Sequence, residues 1–185
     1  TVLARRVYSV LDAPATLTDA PDAAEPDAWR GEIEFEDVSL QYVEGGPFAL
    51  QNVSARIPAG SSVCVVGPTG CGKSTILLML ARLYDPTEGA IRLDGRDLRK
   101  MPVASLRHAV AQVLRECPVF TGTVAENIAY GQPEATREQI EQAARVVGLH
   151  DHVQGLPKGY DTVLGAGGTV LGPEELARLG VARAV

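Results

Sequence analysis

Long apolar runs are missing from this 185-residue sequence, and their absence limits what the chain can be. No stretch approaches the roughly 20 apolar residues that a helix needs to span a bilayer. Arg5 and Arg6 lie near the N-terminus, but the apolar core of a secretion signal does not follow them. We therefore expect neither a membrane-spanning helix nor a signal peptide within these residues.

Basic runs and paired cysteines are also scarce. The formal net charge of −6 argues against a general nucleic-acid binder. Cys64, Cys71 and Cys117 match no metal-ligand spacing and cannot all pair within one chain, so reduced thiols in a cytosolic setting are the simpler interpretation. Apolar content of 45% and charged content of 22% are ordinary for a globular protein. The length suits one substantial domain, alone or with a small appendage.

A glycine-rich segment at residues 67–75 is the strongest chemical signal. It reads GPTGCGKST and matches the phosphate-binding loop pattern G-x-x-x-x-G-K-[ST]. The apolar run at 63–66 predicts a buried strand before it, and the run at 76–83 predicts a helix after it. A glycine-rich turn with an incidental lysine is the alternative, but it does not explain both flanks.

This loop has the groups that a nucleoside triphosphate requires. Gly67, Gly70 and Gly72 permit tight backbone turns, so that successive N–H groups point into one concave nest. The helix after the loop adds its unpaired N-terminal donors. Lys73 would reach the β- and γ-phosphates, and the Ser74 hydroxyl would ligate Mg²⁺. The remaining predicted nucleotide-binding residues of the loop are Pro68, Thr69, Cys71 and Thr75.

Periodicity predicts the elements around the loop. Residues 1–12 have helical spacing, and 13–29 read as a linker rich in Ala, Pro and Asp. Alternation over 30–57 predicts antiparallel strands around the turn at 44–47, and 90–93 predicts another strand before the Asp94-Gly95 turn. The chain from Met101 onward is predicted to be mainly helical, with a capping box formed by Thr136 and Gln139.

Two histidines flank Asp151. His150 and His152 suggest either a metal site or ordinary surface residues. No further ligand is evident nearby in the sequence, so we favour surface histidines.

Several segments, in order, resemble the nucleotide-binding domain of ATP-binding-cassette (ABC) exporters. They are LYDPTEGAIRLDG at 83–95, VFTGTVAENIAYG at 119–131 and LPKGYDTVLG at 156–165. DVSLQY ends in Tyr42, which matches the aromatic residue that stacks on adenine in this family. The resemblance covers nearly the whole chain and implies ATP and Mg²⁺ as ligands.

The resemblance also implies a fold and partners. The fold is α/β, with a P-loop NTPase-like parallel sheet core, an antiparallel β subdomain and a helical subdomain within about 102–185. Residues 30–185 would form the domain, and 1–12 a helical tail from a transmembrane domain. The partners would be that transmembrane domain and a second nucleotide-binding domain, at the cytoplasmic face of a membrane.

The sequence departs from the family in the glutamine loop. The register counted back from Phe120 places Arg115 where the family has a glutamine that helps position Mg²⁺ and the attacking water. A guanidinium neither accepts a hydrogen bond nor ligates a metal. Gln112 would take over this role only if the loop slipped by several residues.

A second departure lies in the family's signature segment, which reads LSGGQ. The aligned residues after Leu171 are Gly172, Pro173, Glu174 and Glu175. The serine hydroxyl and one N–H donor are lost, and two carboxylates lie where the family grips a γ-phosphate. The loop before it has Ala166 in place of the family's Glu. Proline and acids also suit a helix start, and both interpretations can hold together.

The family's next elements would be an apolar strand ending in Asp, a catalytic Glu and a switch His. They are not within these residues, so we expect a C-terminally truncated domain without catalytic residues of its own. The leading hypothesis is an exporter domain that binds ATP and is deficient in hydrolysis. A non-catalytic nucleotide-binding or dimerisation module of a heterodimeric assembly is the alternative. A small-molecule kinase is disfavoured, because the exporter-like segments do not fit one.

Overall fold

A computed structural model describes residues 2–12, 17–26 and 28–185 of the chain. The predicted linker at 13–29 therefore falls partly outside the described residues. The structure divides into two compact units, residues 1–110 and 111–185. No described helix is long and apolar enough to cross a membrane.

Unit 1 is built on an antiparallel sheet with the strand order β2-β1-β3-β4. The predicted turn joins β1 to β2, and the Asp94-Gly95 turn joins β3 to β4, so both sequence expectations are confirmed. In chain order, the elements of this unit are α1 (Val2–Leu11), β1 (Ile33–Gln41), β2 (Phe48–Ile57), α2 (Lys73–Leu80), β3 (Glu88–Leu93), β4 (Arg96–Asp97) and α3 (Val103–Ala109).

The core of unit 1 lies between this sheet and helices α2 and α3. Alternate residues of β1 and β3, such as Phe35 and Ile91, point into it. Met79 of α2 is 1% exposed, so the helix after the phosphate-binding loop is held against the sheet. Leu106 anchors α3 to the same core. Burying such side chains stabilises each by about 1.5–3 kcal/mol.

Part of the segment preceding β1 is fixed to this unit. The Thr18 carbonyl accepts a hydrogen bond from buried Arg82, and the Asp19 carboxylate accepts one from the Val103 N–H. The Ala24 N–H donates to the Lys100 carbonyl. Residues 17–26 of the predicted linker are therefore packed against the rest of unit 1.

Unit 2 is mainly helical, as predicted, with one short antiparallel strand pair, residues 122–123 with 163–164, that the sequence did not reveal. Its core includes Tyr160, Leu149 and Leu179, which are fully buried. Its elements are β5 (Gly122–Thr123), α4 (Val124–Ile128), α5 (Arg137–Val146), α6 (His150–Gln154), β6 (Val163–Leu164) and α7 (Pro173–Ala182).

Capping boxes begin two helices of unit 2. The predicted box of Thr136 and Gln139 starts α5 and is confirmed. Thr123 and Glu126 form a second box at α4 that we did not predict. Each pair satisfies two backbone N–H groups at the helix start, which stabilises a helix by typically ~1 kcal/mol.

The prediction of a buried strand at 63–66 is wrong in this structure. Residues 61–66 form no strand, and the Val63, Val65 and Val66 side chains are 57%, 45% and 82% exposed. A strand needs a neighbour for its backbone N–H and C=O groups. Within the described ranges no strand pairs with this segment, and the only parallel pairing is an isolated bridge between Leu164 and Thr169. The expected parallel sheet core is thus not formed among them.

Candidate functional site

The phosphate-binding loop lies between the exposed 61–66 segment and α2. Helix α2 begins at Lys73, and its N-cap residue Gly72 has φ of 90°. The Ile76 N–H bonds to the Gly72 carbonyl, which closes the first helical turn. The N–H groups of Lys73, Ser74 and Thr75 precede that first intrahelical bond. Together with the positive end of the helix dipole, they favour an anion at this end of α2.

Gly72 is required at its position by close packing as well as by its φ. A Cβ there would lie 2.5 Å from Leu50 Cδ2 and 2.7 Å from the Ala49 carbonyl oxygen. The loop therefore approaches β2 more closely than any side chain permits. Because Leu50 belongs to the core of unit 1, this contact fixes the start of α2 on the sheet.

Lys73 turns back over the loop. Its ammonium donates to the Gly67 carbonyl at 2.8 Å and to the Pro68 carbonyl at 2.7 Å, and it lies 3.7 Å from Cys71 Sγ. These contacts place the ammonium beside the backbone of the loop. A phosphate bound there would lie within reach of this cation.

The other loop residues divide by exposure. Thr69, Gly70 and Ser74 are exposed, and Cys71 is an exposed free thiol. Thr75 is 6% exposed, and its hydroxyl faces the protein. The Ser74 hydroxyl is thus available to a metal ion, whereas the Thr75 hydroxyl has a partner in Tyr42.

Tyr42 directly follows β1 and lies beside the loop. Its hydroxyl and the Thr75 Oγ1 are 2.9 Å apart, and its ring meets the Tyr84 ring edge-to-face at a centroid distance of 4.9 Å. Tyr42 is 47% exposed. The structure therefore brings the predicted adenine-stacking residue to the predicted phosphate site. Sequence reasoning missed Tyr84, whose only signal was an aromatic residue soon after the loop helix.

The residues that depart from the family lie in unit 2. Arg115 is exposed in an irregular segment that follows α3 and precedes β5. Gly172 is the N-cap residue of α7 and Pro173 its first residue, so the helix-start interpretation of this run is confirmed.

Both carboxylates of that run have neighbours within unit 2. Glu174 pairs with Arg178 one helical turn later, and Glu175 lies 3.6 Å from His152. A Cβ added to Gly172 would lie 2.5 Å from Glu175 Oε2, so this carboxylate folds back over the helix start. An acid at that place satisfies the helix dipole from within the chain.

The two histidines beside Asp151 each lie near a side chain of unit 2. His150 Nδ1 lies 2.8 Å from the Tyr160 hydroxyl, and burial raises the pKa of Tyr160. The described part of the chain has no group of three or more His, Cys, Asp or Glu side chains that could hold a metal ion. At the phosphate loop, Mg²⁺ would instead be held by one hydroxyl together with ligand phosphates and water, as this ion commonly is.

Comparison with known proteins decides the family. The family model for ABC transporters matches residues 50–185. The chain belongs to the ABC transporter family. A bacterial Atm1-family ABC exporter, solved with ATP bound, superimposes with a TM-score of 0.89 and 35% identity over 98% of this chain. The fold is thus that of an ABC exporter nucleotide-binding domain.

Similar proteins include a multidrug efflux protein and an iron-sulfur clusters transporter. The multidrug efflux ATP-binding/permease protein Rv0194 of Mycobacterium tuberculosis is 41% identical over 97% of this chain. The mitochondrial iron-sulfur clusters transporter atm1 of Neurospora crassa is 40% identical over 97% of it. The chain spans 15% and 25% of these two proteins, and 32% of the solved Atm1-family exporter.

Proposed function

We propose that this chain is an ATP-binding domain of an ABC exporter and binds Mg²⁺–ATP through residues 67–75. The observation that carries the proposal is the loop of unit 1. There, a glycine too tightly packed for any Cβ, a lysine bonded to two loop carbonyls and a helix start all lie within residues 67–75. Family membership and an ATP-bound Atm1-family neighbour support the same ligand.

The residues fit this ligand in the chemistry that each supplies. Backbone N–H groups and the Lys73 ammonium neutralise phosphate charge, and the exposed Ser74 hydroxyl would hold Mg²⁺. The metal adds charge neutralisation between the phosphates when it is bound. Tyr42 offers a half-exposed ring to the base, and its hydroxyl is held by Thr75.

Hydrolysis requires more than this loop. A water must be positioned and its proton accepted, and phosphate binding alone does neither. Arg115 supplies neither an acceptor nor a metal ligand at the glutamine position. Gly172 and Pro173 lack the hydroxyl and one N–H of the signature segment, and Glu175 occupies the helix start. We therefore expect these 185 residues by themselves to bind ATP without turning it over.

In the assembled transporter, the domain would pair with a second nucleotide-binding domain and with a transmembrane domain at the cytoplasmic face. The signature of this chain would then contribute to an impaired site over the partner's loop, which suggests a heterodimer. A non-catalytic nucleotide-binding or dimerisation module is the second candidate. The same two departures, at Arg115 and at 172–175, favour it.

Phosphate release from Mg²⁺–ATP by the purified chain tests the hydrolysis part of the proposal. We expect release at the background rate, and Lys73→Ala should not change it. Release well above background that Lys73→Ala abolishes would contradict the deficiency. In an assembly with a partner domain, a rate of phosphate release that Lys73→Ala leaves unchanged would favour the non-catalytic module.

A further inference from the structure

Tyr84 is a second aromatic residue beside the proposed nucleotide site. It lies in the turn after α2 and is 41% exposed. Its ring meets that of Tyr42 at an interplanar angle of 85° and a centroid distance of 4.9 Å. Edge-to-face pairs of this kind are attractive, because the positive edge of one ring meets the negative face of the other.

Two hydrogen bonds join the segment that carries Tyr84 to the end of β1, which Tyr42 directly follows. The Gln41 N–H, just before Tyr42, donates to the Thr87 hydroxyl at 3.0 Å, and the Thr87 N–H donates to the Ser39 carbonyl at 2.9 Å. The backbone that carries Tyr84 is therefore fixed to the end of β1. Because these hydrogen bonds restrict the backbone near both tyrosines, less conformational entropy is lost when their rings pair.

The turn that carries Tyr84 is also fixed on its other side. Arg82 is 3% exposed, and its guanidinium donates to Asp85 at 3.1 Å and to the Met101 carbonyl at 3.0 Å. The Leu83 N–H bonds back to the Leu78 carbonyl of α2. Residues before and after Tyr84 are thus held by buried or helical groups, which makes its ring a firm support.

Tyr42 is held at two points by this arrangement. The Thr75 hydroxyl fixes its far end at 2.9 Å, and the Tyr84 ring contacts its body. If Tyr84 presents its edge, it covers one face of Tyr42 and leaves the other free. If Tyr42 presents its edge, both of its faces stay free of Tyr84. In either case Tyr84 leaves at least one face of the Tyr42 ring uncovered, and Tyr42 is 47% exposed.

We propose that Tyr84 is a positioning residue for the base of the nucleotide: it holds the Tyr42 ring ready to stack on adenine. This inference rests on the proposed ATP binding. A ring already in its binding orientation loses less freedom when ligand binds, which increases affinity. The effect should be confined to ligands that carry a base, since the contact of Tyr84 at this site is with the ring of Tyr42.

Calorimetric titrations with Mg²⁺–ATP and with Mg²⁺–tripolyphosphate, which lacks the base, test this inference. Tyr84→Leu keeps an apolar side chain but removes the ring, and Tyr84→Phe keeps the ring. Tyr8→Leu, an equal change at an exposed tyrosine of α1, is the matched control. An aromatic pair is worth ~0.5–1.5 kcal/mol, which corresponds to roughly 2- to 12-fold in affinity.

We expect Tyr84→Leu to weaken the affinity for ATP by about 3- to 10-fold and to change the affinity for tripolyphosphate by less than about twofold. Tyr84→Phe and Tyr8→Leu should bind both as the unchanged chain does. Equal ATP affinity in Tyr84→Leu, or equal weakening of both ligands, would overturn the positioning role. If the unchanged chain binds neither ligand, the proposed function itself fails, and that result is distinct from either of these.

Discussion

Gly72 shows at the scale of one residue how tightly the phosphate loop is built. Its φ of 90° disfavours any side chain, and a Cβ would contact both Leu50 and the Ala49 carbonyl. A clash with backbone cannot be relieved by a rotamer change. The motif predicted a glycine here for the sake of the turn, but contact with β2 is a tertiary feature that the sequence does not show.

Gly72→Ala should therefore lower the free energy of unfolding and also weaken the binding of ATP. We expect a loss of about 2–5 kcal/mol, the sum of left-handed backbone strain and overpacking, and at least tenfold weaker ATP binding. Urea unfolding and nucleotide titration measure the two effects.

Gly60→Ala is the matched control, because Gly60 has φ of 71° but nothing within 4 Å of an added Cβ. It should cost only the backbone strain of roughly 1–2 kcal/mol and leave ATP affinity unchanged. Equal losses of stability in both variants would show that packing against β2 does not constrain the loop.

Some residue roles could be predicted because they depend on neighbours in the sequence, and others could not because they depend on residues far away in it. Lys73 and Ser74 follow from a local pattern, and the structure places them at the helix start as that pattern requires. The adenine-stacking role of Tyr42 was predicted from the family resemblance, but the contact of its hydroxyl with Thr75 was not predictable. That contact joins residues far apart in the chain, and no periodicity or spacing encodes it.

Elements were predictable where a local pattern coincides with tertiary burial. Alternation over β1 and β2 predicted the hairpin, since one face of each strand is in the core. The capping box at Thr136 predicted the start of α5. The 63–66 segment failed because its apolar run says only that it can be buried, and strand formation also depends on a neighbouring strand. The β5 and β6 strands have two residues each, which is too short for any alternation to appear.

Asp94 joins the chain before β1 to the turn between β3 and β4. Its carboxylate accepts hydrogen bonds from the N–H groups of Arg30, Gly31 and Glu32 at 2.7, 3.2 and 2.9 Å. Partial burial alone would raise the pKa of Asp94, but these three donors outweigh it and hold the pKa below its usual value. One turn residue thus fixes the entry to the sheet.

Asp94→Asn should lower the free energy of unfolding by about 1–2 kcal/mol at pH 7, since an amide accepts fewer hydrogen bonds and carries no charge. The folded pKa lies below the unfolded one. The stabilisation is therefore complete above the unfolded pKa of about 4 and is lost as the pH falls through the folded pKa.

Urea unfolding of Asp94→Asn between pH 7 and pH 3 measures this difference. Asp22→Asn, the same charge change at an exposed position, should be nearly neutral at every pH. A difference between Asp94→Asn and the unchanged chain that grew toward pH 3 would contradict the role of the carboxylate.

The whole molecule consists of two units, each with a hydrophobic core of its own. The phosphate loop and Tyr42 belong to the first unit, and the residues that depart from the family belong to the second. Composition predicted a globular chain, and the ordered motifs predicted the ABC exporter domain that the comparisons establish. The predicted parallel sheet is not formed among the described residues. Pairing between strands that are distant in the sequence depends on tertiary neighbours, which a local pattern does not specify.

Calorimetric titration of the unchanged chain and of Lys73→Ala with Mg²⁺–ATP tests the central claim most directly. We predict saturable binding at one site in the unchanged chain. In Lys73→Ala, binding should be at least about tenfold weaker, because a charge-assisted contact to phosphate is lost. Circular dichroism and urea unfolding establish that both chains are folded. Equal affinities in two folded chains, or no binding by the unchanged one, would contradict the assignment of residues 67–75 as an ATP site.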